Sequence, residues 1–325
     1  MVLLIGSIAI VIATALSLLV GDAPLSPSEL WGAFVNESAT SASIVVTTIR
    51  VPRALLAITT GAALGVAGAL TQSLTRNPIA DPGVLGVTAG AGLSVVLAGV
   101  LLGFTSPVTT IWFALAGALL TTLAVYTIAA GRPAAADPSR LLLAGVAISA
   151  LFGGVMTTMT QLNPDVFAQM ASWGAGSLSR RGWEPLLVAL PFIGAGIVVA
   201  VVVTPALNQL SLGDRLSQAT GAPVARTRSA TIIAIAFLAG GATAMVGPIA
   251  FVGLMVPHIA RRFSGPDQTR LVVYSALIGP TLLLVADVIG RVALPVGELP
   301  VGIVTGLIGA PVLVVLLGRM RAPRS

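Results

Sequence analysis

Ten apolar runs of roughly twenty residues follow one another along this chain, and no other feature limits its fold so strongly. They fall at 2–20, 50–74, 84–103, 108–130, 140–162, 186–206, 229–247, 249–264, 271–293 and 302–318, separated by turn-forming and charged residues. An α-helix rises 1.5 Å per residue, so about twenty apolar residues cross roughly 30 Å of hydrocarbon. Of the 325 residues, 56% are hydrophobic and 9% charged, against about 25% charged in a soluble domain. Too few charges remain to cover a water-facing surface, so lipid is the expected solvent. The expectation is an all-α polytopic membrane protein, one transmembrane domain over residues 1–325. The run from Met1 to Val20 reads as a first span rather than a cleavable signal peptide, since no basic residue precedes Arg50. The run 249–264 is short and contains Pro257, so a broken or tilted helix is expected there.

All 17 basic residues are arginine, and the net charge is +6. No basic patch alternates with aromatic residues, so nucleic acid is not an expected partner. With the N-terminus in the cytoplasm, twelve arginines fall inside and five outside, namely Arg50, Arg53, Arg180, Arg181 and Arg291. That bias fits the positive-inside rule, and an even number of spans returns the C-terminus to the cytoplasm. With no cysteine, disulfides, thiolate chemistry and Cys-ligated metals are excluded. His258 is the one histidine, too poor in neighbouring ligands for a metal site. No Walker A sequence, HExxH, nucleophile elbow or carboxylate cluster occurs, so no catalytic residue and no cofactor are expected. If ATP drives this protein, another polypeptide hydrolyses it.

The interruptions carry the rest. Leu207–Arg228 is polar, with Gly213 and Gly221 as breaks. It reads either as a solvated loop or as short helices across the membrane face, on which a soluble motor could push. Asn163–Pro185 is amphipathic, and Trp173 and Trp183 suit a membrane–water interface outside the cytoplasm. In Arg76–Val87, Pro78 and Pro82 make a corner where Asp81 can cap the next helix. Asp287 lies inside a span with Arg291 one turn on. Mutual neutralisation and a proton-coupling role are both open, although a relay would need more buried ionisable partners. Glycine pairs four apart, at Gly61/Gly65, Gly86/Gly90, Gly99/Gly103 and Gly302/Gly306, suit close helix packing. A faint echo between Gly61–Gly68 and Gly240–Gly247 hints at the inverted repeats of transporters.

RVPRALLAITTGAALGVAGALTQSLTRNPIADPGVLGV (50–87), LLLAGVAIS (141–149), LSLGD (210–214), GPIAFVGLMVPHIAR (247–261) and ELPVGIVTGLIGAP (298–311) occur in this order. Together they resemble the FecCD family of ABC importer permeases, which includes the vitamin B12 permease. The resemblance implies the type II importer permease fold with about ten transmembrane helices, in the inner membrane of a bacterium. It also implies a second permease subunit, as homodimer or heterodimer, two cytoplasmic ABC ATPases and an extracytoplasmic substrate-binding protein.

By the same resemblance, Leu212, Gly213, Asp214 and Gly221 in the 207–228 segment would meet the ATPase. Arg50, Arg53 and Arg291 would dock the binding protein. The fifth span would line the pathway, with Ser139 and Arg140 at a cytoplasmic gate and Met156, Thr157, Met159, Thr160 and Gln161 as a weakly polar wall. The implied cargo is a ferric siderophore, with haem or cobalamin as alternatives. Outside the family, a proton- or sodium-coupled secondary transporter and a membrane scaffold are the competing readings.

Overall fold

The computed structural model describes residues 1–21, 25–35, 40–103, 106–130, 138–179, 181–211, 213, 217 and 223–321; among these there is helix and connection but no strand. In chain order the helices are α1 (Val2–Leu19), α2 (Pro27–Val35), α3 (Ser41–Val45), α4 (Val51–Thr75), α5 (Val87–Leu102), α6 (Pro107–Ala130), α7 (Pro138–Leu162), α8 (Pro164–Gly174), α9 (Glu184–Leu210), α10 (Val224–Val246), α11 (Val252–Ser264), α12 (Gln268–Val292) and α13 (Val301–Arg321). A π-helical turn, Val46–Arg50, joins α3 to α4, and a 3₁₀ turn, Pro82–Leu85, precedes α5.

Each of the ten apolar runs coincides with a helix. Among the described residues, seven spans are long and apolar enough to cross a membrane, and Val87–Leu102 and Val301–Val315 are shorter apolar helices. The exception is α11, whose thirteen residues rise only about 20 Å. The residue before it, Phe251, adopts a left-handed φ of 68°. The interruption expected of the Pro257 run therefore lies ahead of that proline, between α10 and α11.

The most buried spans are α4 and α10, and α4 packs against both α10 and α12; α4 and α10 are rich in Gly and Ala, so that backbones make many of the contacts. A Cβ on Gly61 would fall 2.5 Å from the Gly279 carbonyl oxygen, and one on Gly279 2.0 Å from that of Gly61. Gly90 of α5 and Gly117 of α6 make the same kind of crossing, at 2.5 and 2.3 Å. The expected glycine packing thus holds at Gly61, Gly65 and Gly90, whereas Gly103 and Gly306 face open space.

The periphery divides into two kinds. Only 11% of the apolar window is buried in α1 and in α7 alike. From α1 the exposed large side chains are Leu3, Leu4, Ile5, Ile8, Val11, Ile12 and Leu16, with Ser7 and Ala15 between them, a largely aliphatic surface for lipid tails. The exposed face of α7 instead mixes Leu143, Val146, Leu151, Val155 and Leu162 with Ala147, Ala150, Gly154, Thr157, Thr158 and Gln161.

Candidate functional site: an arginine cluster and the α7–α8 face

The sequence signal at Arg50, Arg53 and Arg291 leads to one place. Thr40 caps α3, its hydroxyl accepting from the Ser43 amide at 3.2 Å, and the π turn carries the chain into α4 with Arg50 and Arg53 on adjoining turns. Their side chains turn inward: Arg50, Arg53 and Arg291 are 5%, 8% and 6% exposed. Arg53 Nε donates to Asp287 Oδ1 and Oδ2 at 3.1 and 3.0 Å, and its Nη2 to Oδ1 at 2.9 Å. Its Nη1 reaches Glu298 Oε1 at 3.0 Å. Arg291 Nε meets Asp287 Oδ2 at 3.0 Å, while Nη1 donates to the carbonyls of Ser17 and Val20 at 2.7 and 2.8 Å. Arg50 Nη1 donates to the carbonyls of Leu18 and Leu19 at 2.6 and 3.0 Å.

Two guanidinium groups thus flank the Asp287 carboxylate, which is 2% exposed, and Glu298 balances the second charge. The cluster serves as a tie between α1, α4, α12 and the α12–α13 connection. The i,i+4 neutralisation of Asp287 by Arg291 read from the sequence is present, and Arg53 joins it. Burial alone would raise the Glu298 carboxyl, but hydrogen bonds from Arg53 and from the Ser179 hydroxyl outweigh it and hold the group below its ordinary value. Neither Glu298 nor Ser179 stood out in the sequence; an acid between two apolar runs is the signal that could have found Glu298. Arg181, in the α8–α9 connection, has only the Ser177 carbonyl, 3.3 Å from Nε, among the described contacts. With Arg53, Thr48, Ile49, Leu178 and Gly182 it lines a cleft of about 240 Å³.

Along α7, Ser139, Arg140, Thr157 and Gln161 are exposed and Met156, Met159 and Thr160 half-buried. The threonines hydrogen-bond back to their own helix, Thr157 to the Gly153 carbonyl at 2.8 Å and Thr160 to that of Met156 at 2.8 Å. Their hydroxyls are thereby occupied, and the helix offers a weakly polar wall. The helix α8 falls within the expected amphipathic segment 163–185. Trp183 is 40% exposed and donates to the Thr47 carbonyl at 3.1 Å. Trp173 departs from expectation: only 6% exposed, it packs near Gly92 of α5 and is a core residue, not an interfacial one. Its bulk and apolarity won over the amphipathic pattern around it.

At the opposite end of the bundle, Gly213 has a φ of 105°, a backbone region suited to glycine. Leu212, Asp214 and Gly221 lie outside the described residues. The end of α9 that leads into this segment is tied to the core. Arg76 Nη2 donates to the Leu210 carbonyl at 2.9 Å, and Asn208 Oδ1 accepts from the Gln268 amide at 2.7 Å. Asp81 caps the 3₁₀ turn as expected, Oδ1 accepting from the Gly83 amide at 2.8 Å. Among the described residues no group of three or more His, Cys, Asp or Glu could hold a metal.

Residues 9–319 match the FecCD transport family. Over 311 residues the chain is 46% identical to the ferric enterobactin transport system permease protein FepD of Escherichia coli (strain K12), covering 95% of this chain and 92% of that one. It is 37% identical over 308 residues to the hemin transport system permease protein HmuU of Yersinia pestis, covering 94% and 91%. Among solved structures, an inward-facing metal-chelate type ABC transporter superposes with a TM-score of 0.83 at 28% identity, over 98% of both chains.

Proposed function

This chain belongs to the FecCD transport family, and from that premise we propose that it is the membrane-spanning permease subunit of an ATP-binding-cassette importer carrying a ferric siderophore into the cytoplasm. The observation that carries the reading is the α7 face. A helix turned to lipid gains nothing from exposed Gly154, Thr157, Thr158 and Gln161, whereas a helix lining a passage between two subunits needs a surface that wets without gripping. The cargo follows from the 46% identical relative, whose name specifies ferric enterobactin; haem and cobalamin are the alternatives within the family.

In this reading a second permease subunit completes the passage. Two cytoplasmic ATPases press on the segment 207–228, and the ties from Arg76 and Asn208 carry that motion into α4 and α12. Both termini lie in the cytoplasm, following the arginine bias. A binding protein docks at the end where Arg50, Arg53 and Arg291 gather. Because those guanidinium groups already serve Asp287, Glu298 and backbone carbonyls, the open position for a partner's carboxylate is the cleft beside Arg181. The assignment is tested by deleting the gene and measuring uptake of radiolabelled iron chelates, haem and cobalamin. Loss confined to ferric siderophores supports it; undiminished uptake of every cargo refutes it.

A further inference from the structure

The lipid-facing surface has a hollow where α1 meets α12. Gly6 lies against Leu277, and a Cβ on Gly6 would fall 3.2 Å from both Leu277 Cβ and Cδ1. Beside that contact runs a groove of about 430 Å³, with Ile5 and Ala9 of α1 on one wall, Phe263 of α11 on the other, and Leu277, Thr281 and Val285 of α12 along its floor. From Met1 to Ala9, both on the groove, α1 rises about 12 Å, so the groove follows the helices rather than crossing them. Its surface is almost wholly carbon. Among the lining residues only Thr281 carries a side-chain hydroxyl, and that hydroxyl donates to the Leu277 carbonyl at 3.2 Å. The groove therefore suits a hydrocarbon chain.

Its mouth is cationic. Phe263 belongs to the last turn of α11, which also holds Arg261 and Arg262. Arg262 is exposed and makes no ion pair among the described residues. Arg270 stands seven positions before Leu277, on the same face of α12, with half-buried Tyr274 between them. The Arg270 side chain is 66% exposed, and its Nε lies 3.6 Å from Asp267 Oδ2, too far for a hydrogen bond. The Asp267 carboxylate instead caps α12, Oδ1 accepting from the Thr269 amide at 2.8 Å. Arg262 suits the negative end of α11, but Arg270 sits in the first turn of α12, the positive end, where a cation gains nothing from the helix. An apolar groove that opens between two such guanidinium groups matches an amphiphile with an anionic head.

We propose that this groove binds an anionic phospholipid, with one acyl chain between α1 and α11 over α12 and the phosphate met by Arg262 and Arg270. The groove retains the chain, and the arginines choose the head, since a zwitterionic lipid brings its own cation to the same place. The bound chain covers the seam between α1 and the bundle, where α1 has only 11% of its apolar window buried. The site depends on the chain's crossing a membrane and not on its cargo.

The test uses the full chain in vesicles holding equal parts of palmitoyl-oleoyl phosphatidylglycerol and the phosphatidylcholine with the same chains. The protein is released in mild detergent, and the lipids still bound are identified by native mass spectrometry. Wild type should retain phosphatidylglycerol preferentially, and Arg262→Gln and Arg270→Gln should each reduce the preference about fivefold, the effect of one arginine near a charged lipid surface. Arg270→Lys, which keeps the charge, should keep the preference. Ala9→Phe from α1 and Thr281→Phe from α12 each fill the groove and should lower retention of both lipids. Val11→Phe, on the far side of α1, should change neither. Equal retention of the two lipids by wild type overturns the site, as does a preference that neither glutamine variant moves. Retention undiminished in both phenylalanine groove variants overturns it as well. A lipid-free dimer that those variants split would assign the groove to a second copy of this chain and overturn it too.

Discussion

Arg53 and Asp287, 234 positions apart in sequence, are joined side by side, Nε to Oδ2 at 3.0 Å and Nη2 to Oδ1 at 2.9 Å. That pairing fixes α4 against α12, and Arg291 brings α1 into the same tie. Removing one partner of a buried pair leaves an uncompensated charge, which costs about 3–5 kcal/mol. Asp287→Ala leaves two guanidinium groups facing each other and should sharply lower the thermal midpoint of the detergent-solubilised protein. An unchanged midpoint would mean that the cluster is not a structural tie. Arg53→Glu should be as damaging, through the fold before any partner is involved.

Glu298 makes part of this tie pH-dependent. Its carboxyl is held below the ordinary value, so the folded state prefers the charged form. The stabilisation is fully present above about pH 4.5, the ordinary value, and is lost as pH falls through the depressed one. Wild type and Glu298→Gln should therefore differ in thermal midpoint near neutrality and converge in acid. A gap that persists or widens in acid would mean that the folded state does not favour the charged Glu298 carboxylate.

Backbone contact at glycine predicts a graded response. A Cβ at Gly68 would lie 1.9 Å from the Gly253 oxygen and 2.6 Å from its Cα, and neither atom can swing aside. Gly68→Ala should cost about 1–3 kcal/mol or more, as overpacking does. Gly194 of α9 has open space, so Gly194→Ala should be neutral or slightly stabilising. Similar unfolding midpoints for the two variants would contradict the close crossing of α4 and α11.

At the other end of the bundle, Gly213→Val forces a β-branched residue into φ near 105°. With partner subunits present, the variant should assemble but lose most uptake while retaining ATP hydrolysis. Uptake still proportional to hydrolysis would remove Gly213 from the coupling path.

The helices were legible because apolar run length alone decides whether a segment can cross lipid, and α1, α4 and α9 keep nearly the limits read from composition. The arginine cluster was half legible. The i,i+4 spacing of Asp287 and Arg291 is local, but Glu298 pairs with Arg53 across 245 positions and Ser17 with Arg291 across 274. Nothing local told that Arg50 and Arg53 turn inward. Trp173 was misplaced for a related reason, since the pattern of Asn163–Pro185 reports polarity and not which helix covers the ring. The break before α11 was sensed through Pro257, but its position depends on Phe251 meeting Gly309.

In the proposed function, ATP hydrolysed by partner subunits drives an iron chelate past α7, and reconstituted transport tests this. The purified permease is reconstituted into vesicles with its ATPases and binding protein, and uptake of radiolabelled ferric siderophore is followed with ATP, with a non-hydrolysable analogue, and with an imposed proton gradient alone. Uptake is expected with ATP only, and is expected to be abolished when the ATPase subunits are left out. Uptake driven by the proton gradient in the permease without partners would contradict it and point instead to a secondary transporter.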